Sequence, residues 1–345
     1  MNQTEESYVG EVMPAWALAL FGSLHVITSV NGVIGSVLIL TALTRDKHFS
    51  NASSTYTVFM GNLVVTDLYF QLYFFPMLVL GFSLGRYPIV NDAHCIVNGY
   101  LAMSCYSVFL LTLTAISFDR YVRVCHDNLH RKYFSRKTSL CACAAIWVAG
   151  CLTPLPAALS SSLGFDTKTS ICVTKPLTPP SVSLPYFICF VFSLVASGFF
   201  NSRIYTVYRA TRRRVQQSCH GAPRAQNPDG GAGSGQQPLQ PQKSVASSDV
   251  ALLRSLLVIF SCLVLFVTPG SVARGLREKV DIPNVLYAFF VWLMSLNSSI
   301  DWIVYGLMNT RFRHGYRVFL NSTCRCGLAA CVWRSAAGTM DTTVS

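Results

Sequence analysis

Charge is what this chain has least of. Only 12% of its 345 residues are Asp, Glu, Lys or Arg, against about 25% in soluble domains. A water-solvated globule is excluded as the first reading, because half its usual polar cover is missing. Acidic residues are the scarcer sign, 15 against 27 Lys and Arg, for a formal net charge of +12. An excess of that size would suit nucleic acid, but the basic residues fall in alternate gaps between apolar stretches, and no nucleic-acid partner is expected. A basic leader is absent too. Met1 to Pro14 carries Glu5, Glu6 and Glu11 and no Lys or Arg. No cleavable signal peptide is therefore expected, and the first apolar stretch serves as the targeting signal. The histidines (His25, His48, His94, His126, His130, His220 and His314) are dispersed. That spacing argues against a metal site and against a seven-helix metal hydrolase. No period of 20 to 50 residues recurs, which removes solenoids, and no paired halves suggest a transporter or channel.

What remains is apolar. Hydrophobic residues make up 52% of the chain and the mean hydropathy is +0.42. Seven stretches reach the roughly 20 residues that cross a bilayer: 16–44, 55–82, 92–121, 139–160, 184–210, 250–273 and 284–306. The gap after the third holds Arg120, Arg123, Arg131, Lys132, Arg136 and Lys137. The gap after the fifth opens with Arg209, Arg212, Arg213 and Arg214, and the first gap has Arg45 and Lys47. The tail adds Arg311, Arg313, Arg317 and Arg325. The intervening gaps are nearer to balance, so the N-terminus is expected outside and the C-terminus in the cytosol. The expected organisation is an outer N-terminus over 1–15, a membrane domain over 16–306, and an amphipathic helix with a cytoplasmic tail over 307–345. Within the domain, about 215–248 is rich in Gly, Pro and Gln and reads as a disordered cytoplasmic loop. The fold class is an all-α membrane protein, a seven-helix bundle with a short eighth helix in RFRHGYRVFL.

Thirteen cysteines are too scattered for a metal cluster. On this topology only Cys95 and Cys172 lie on the oxidising face, and a disulfide between them would pin the loop after the fourth segment over the bundle. The sequon at Asn2 faces outward and is a glycosylation candidate. Cys324, Cys326 and Cys331, just past the amphipathic stretch, read either as palmitoylation sites or as free thiols.

The third segment ends in SFDRYVRVCH, with Asp119, Arg120 and Tyr121 about 37 Å of helix below Cys95. With seven segments, that arrangement resembles the class A, rhodopsin-like, G-protein-coupled receptors. Asn62 and Asp67 in GNLVVTDL, Trp147, Pro269, Asn297 and Tyr305 follow in the family's order. Local stretches such as IVYGLMNTRFRHGYRVFL and GFDTKTSICV are most similar to melatonin receptors.

The resemblance implies a plasma-membrane receptor, not an enzyme, coupled to a heterotrimeric G protein. It implies a latch in which Arg120 is held by Asp119 and by Asp249, twenty residues before Pro269, until the sixth helix swings outward. It places Asp67, Asn297 and Asp301 at a buried site for a sodium ion, although Phe109 stands where the third segment should supply a polar group. A protonated pair of acids remains an equal alternative. The chain also departs from the pattern. Ser36 replaces an Asn, Val267 a Trp, Asn201 a Tyr and Ser193 a Pro, and Asp301-Trp302 stands in place of Asn-Pro. A non-signalling receptor-like protein that works through partner binding therefore stays open. Ala102 offers no counter-ion for an amine, and Ser295 no Schiff base for retinal. Ala157, Thr174 and Pro176 depart from the melatonin contacts. The remaining cavity candidates, Met103, Tyr106, Phe187, Tyr287, Phe289 and Trp292, suit a lipid, a small apolar metabolite or a peptide. Membrane lipids are expected around the bundle.

Overall fold

The computed structural model describes residues 14–45, 55–84, 88, 91–166, 171–175, 178–220, 247–276, 280, 282–308 and 312–317. Seven of its helices are long and apolar enough to cross a membrane. The first is Ala15–Arg45. The second runs from Thr55 to Leu84 in three parts, the third is Asp92–Cys125, and the fourth is Arg136–Leu152 with a further turn at Leu155–Leu159. The fifth is Pro180–His220, the sixth Ser247–Leu276 and the seventh Asn284–Met308. Large apolar side chains such as Val195 and Leu265, each about two-thirds exposed, cover the outer faces. Lipid is the solvent there, so an exposed Leu carries no penalty. The third helix is the most enclosed, with its span 72% buried by its neighbours.

Polar pairs and close approaches fix how the helices sit. Asn62 donates through Nδ2 to Thr112 and accepts from the Trp147 indole through Oδ1, both at 2.8 Å, joining the second, third and fourth helices. Asn31 Nδ2 donates to the Ser299 carbonyl at 2.8 Å, joining the first and seventh. Each such bond stabilises by about 1 kcal/mol. Gly35 permits close contact between the same two helices, since a Cβ there would stand 1.9 Å from Cδ1 of Trp302.

Three local features go beyond the sequence reading. A π-helical turn, Phe70–Phe74, interrupts the second helix, with the Phe75 N–H donating to the Phe70 carbonyl. Pro76 follows directly; it offers no N–H and its ring crowds the carbonyl four residues back, which a wider turn relieves. After the fourth helix, β1 (Leu163–Asp166) pairs antiparallel with β2 (Ile171–Thr174), Phe165 opposite Cys172. Among the described residues, the helical bundle thus carries one small hairpin. The fifth helix also continues to His220. That corrects the expectation of disorder from about residue 215: Arg, Val and Gln carry no breaker until Gly221, so the helix propagates.

Residues 312–317 form the short eighth helix. Phe312 and Tyr316, four apart and therefore on one face, are fully buried, while Arg317 is exposed. Phe312 stacks on Tyr305 at 5.1 Å between ring centroids, and the Tyr316 hydroxyl donates to the Trp302 carbonyl at 3.1 Å. Asn2, Cys324, Cys326, Cys331 and the loop 221–246 lie outside the described residues.

Candidate functional site

At the C-terminal end of the third helix, around Asp119 and Arg120, the chain builds a closed polar cluster. Asp119 is fully buried and Arg120 is 5% exposed. Arg120 Nε stands 3.4 Å from Asp119 Oδ2, a charge contact without hydrogen-bond geometry. The other carboxylate oxygen, Oδ1, accepts from the Thr55 hydroxyl at the start of the second helix. It also meets His130 Nε2 at 3.0 Å. His130 belongs to a short helix, Asp127–Tyr133, in the loop after the third span. Its ring lies flat on Phe134, 4.8 Å between centroids and 11° between planes. The Arg120 guanidinium carbon sits 4.5 Å above the Tyr56 ring, a cation–π contact. Tyr121 faces the fifth helix, with its ring 5.4 Å from that of Phe200. Tyr305 is fully buried in the same inner core.

Thr55, Tyr56 and His130 were not singled out from the sequence. Thr55 and Tyr56 begin a different helix, and His130 is one basic residue among several in a charged loop. Nothing in their spacing announces a shared carboxylate. Asp249 lies on the sixth helix, but its side chain is outside the described residues.

A second buried cluster sits in the middle of the bundle. Asp67, Asn297 and Asp301 are each at most 2% exposed. Asp67 is close enough to feel the Asp301 charge, and the Ser298 hydroxyl reaches it. Asp67 Oδ1, Asn297 Oδ1 and both carboxyl oxygens of Asp301 have no hydrogen-bond partner among the described residues. Phe109, buried in the inner core, contributes no oxygen.

At the opposite end of the third helix, Cys95 and Cys172 are disulfide-bonded with Cα atoms 5.4 Å apart, linking that helix to β2. The hairpin then meets the bundle: Phe165 and Ile171 pack against the buried cluster that includes Phe70, Phe74, Ala102 and Ala288. Of the cavity candidates, Met103 is buried against Ala157 and Leu163. The Tyr106 ring lies 6.0 Å from Tyr186. Tyr287 is buried with its hydroxyl donating to the Ala273 carbonyl at 3.0 Å, and Trp292 is partly buried against Phe289. Phe187 is a correction: it is 60% exposed on the lipid face of the fifth helix. Tyr186, its neighbour in sequence, takes the inward position, because adjacent residues on a helix point about 100° apart. Phe289, 38% exposed, likewise sits at the bundle surface.

The sequence pattern described as the 7 transmembrane receptor (rhodopsin family) matches residues 35–305. Among curated relatives, melatonin receptor type 1B-B of Danio rerio is 23% identical over 333 residues, covering 91% of this chain and 87% of the relative. Melatonin receptor type 1A of Mus musculus is 26% identical over 329 residues, covering 91% and 84%. The type 1A receptor of Gallus gallus is 24% identical over 326 residues, covering 90% and 83%. With seven membrane-crossing helices, a disulfide from the third helix to the hairpin after the fourth and a buried Asp-Arg pair near the C-terminal end of the third, this chain belongs to the rhodopsin family of seven-transmembrane receptors.

Proposed function

We propose that the chain is a plasma-membrane receptor that passes an extracellular or membrane-borne signal to a heterotrimeric G protein. The carrying observation is the Asp119–Arg120 pair, buried and held by groups from the second helix and from the loop after the third. A carboxylate and a guanidinium pay heavily for leaving water. Their retention at a helix end suits a contact that must be broken and remade. In this reading Arg120 also meets Asp249, and release of that contact lets the sixth helix move outward, opening a groove for a G-protein helix. A few charge-assisted hydrogen bonds at about 1.5–3 kcal/mol each match the scale of a ligand-driven population shift. The test is basal G-protein activation at matched surface expression. Asp249→Ala is expected to raise it and Arg120→Ala to abolish it. Signals from the wild type and both variants that equal those of untransfected cells would overturn the reading. They would favour partner binding without signalling, a reading that Val267 supports: a small buried side chain occupies the place of a large rotating indole.

The oxygens of Asp67, Asn297 and Asp301 suit a hard cation such as sodium, and equally one proton shared by the two acids. A bound sodium would neutralise the pair and tie the second helix to the seventh. Exchange of sodium for choline is expected to lower the melting temperature of the purified receptor by about 3 °C, the shift of roughly 1 kcal/mol. Asp67→Asn is expected to remove that dependence. Melting that ignores sodium but falls as pH rises identifies the shared proton, since its loss leaves two facing carboxylates.

A further inference from the structure

Tyr56, in the first turn of the second helix, is fully buried and touches two other elements with two different parts of its side chain. The Arg120 guanidinium carbon stands 4.5 Å from the centre of its ring. Its hydroxyl lies within reach of the hydroxyl of Tyr305, on the seventh helix. Neither hydroxyl has a hydrogen-bond partner among the described residues, so the two are near each other and not bonded. The Tyr305 ring is held in turn by Phe312 of the eighth helix, with 30° between the ring planes. Gly315 seats that helix against the first, since a Cβ there would stand 2.6 Å from the Ala42 Cβ. Ala42, Tyr56, Tyr305 and Phe312 belong to one buried cluster.

The two parts of Tyr56 do different physical work. The face of the ring is electron-rich and attracts a guanidinium, most strongly where water is excluded. The hydroxyl, buried without a bond, carries a desolvation cost that a partner would offset. Two such hydroxyls side by side offset it for each other once a small shift brings them into line. Leucine or methionine would fill much of the same space and supply neither interaction. Phenylalanine would supply the first and lack the second.

We propose that Tyr56 is a two-position positioning residue: its ring holds Arg120 in the arrangement seen here, and its hydroxyl bonds to Tyr305 when Arg120 is released. The proposal rests on the receptor reading above and names a regulation of that same site. The bond to Tyr305 draws the ring off the guanidinium, so movement of the seventh helix loosens the hold on Arg120. Each state has a contact that the other lacks, and the balance between them is set by the difference. Asp119 restrains Arg120 independently, through its carboxylate.

The experiment uses the full-length receptor and two readouts. Thermal melting of the purified protein needs no G protein. Tyr56→Leu is expected to lower the melting temperature by about 3 °C, and most of that loss should vanish in an Arg120→Met background, where there is no cation to hold. Tyr56→Phe and Tyr305→Phe are expected to leave it unchanged or slightly raised, because each removes an unbonded buried hydroxyl. Basal G-protein activation is then measured in the Asp119→Ala background at matched surface expression. Tyr56→Leu is expected to raise it further. Tyr56→Phe and Tyr305→Phe should each lower it severalfold, and the double variant should match either one. A residue that only fills space would move activity in one direction for Leu and Phe alike. The proposal is overturned if Tyr56→Phe melts as low as Tyr56→Leu, or if the Leu loss persists in Arg120→Met. It is overturned equally if Asp119→Ala signals and the Tyr56 variants leave that signal unchanged. Melting as expected with every variant silent, Asp119→Ala included, upholds the hold of Tyr56 on Arg120 and counts against the signalling reading.

Discussion

Cys95→Ser is expected to remove most of the receptor from the cell surface and to lower the melting temperature of what remains. The bond spans a sequence separation of 77 residues. In the chain-entropy account, closing a loop of that length stabilises the folded state by about 4–5 kcal/mol. That is a large share of the 5–15 kcal/mol typical of a whole protein. The bond also holds β2 where Thr174 can receive Arg274 and where Phe165 and Ile171 can pack among the outer helices. Surface labelling and thermal melts check this. Cys172→Ser should match Cys95→Ser, and the double variant should be no worse than either single one, since all three lose the same covalent link. A double variant that falls well below the singles would show that each cysteine acts on its own.

Asp119→Ala is expected to raise basal G-protein activation severalfold over the wild type at equal surface expression, while reducing the amount that reaches the surface. The substitution removes the carboxylate that Thr55, His130 and Arg120 share. It leaves the Arg120 guanidinium in a buried place, over the Tyr56 ring and without the carboxylate beside it. An uncompensated buried charge costs about 3–5 kcal/mol, and the chain can recover much of that by letting Arg120 turn toward the cytosol. Asp119→Asn keeps the shape and one acceptor oxygen, so its effect should be smaller. His130→Ala should show a partial form of the same gain, because it takes away only the loop's hold on the carboxylate. Unchanged basal signal in Asp119→Ala, with Arg120→Ala still silent, would mean that the pair does not restrain Arg120.

Much of the architecture was legible in the sequence because lipid imposes a simple rule. A chain that crosses a hydrocarbon layer must satisfy its backbone within helices and face it with apolar side chains, so length and hydropathy alone reveal the spans. Cys95, Cys172, Asp119, Arg120 and Asp67 stood out for a related reason: each is of a residue type that is rare or costly at its depth. Phe187 was misread because an apolar side chain is equally at home toward lipid or toward the bundle, and only helix packing sets its rotation. The continuation of the fifth helix past residue 215 was missed because a charged run reads alike whether it is coil or solvated helix.

The sequence by itself determined the seven apolar spans, the alternation of basic gaps, the positions of the costly buried charges and the pair of cysteines suited to an outer disulfide. Those properties are local: each follows from what a residue type costs in lipid or water. Only the tertiary structure decided that Asp119 is shared by Thr55 and His130, that Arg120 rests on Tyr56 and that Arg274 clasps Thr174 across a separation of 100 residues. Those contacts join side chains far apart in the chain. Their existence depends on how each helix is rotated and tilted against its neighbours, and that is set by the sum of many packing contacts rather than by any one segment.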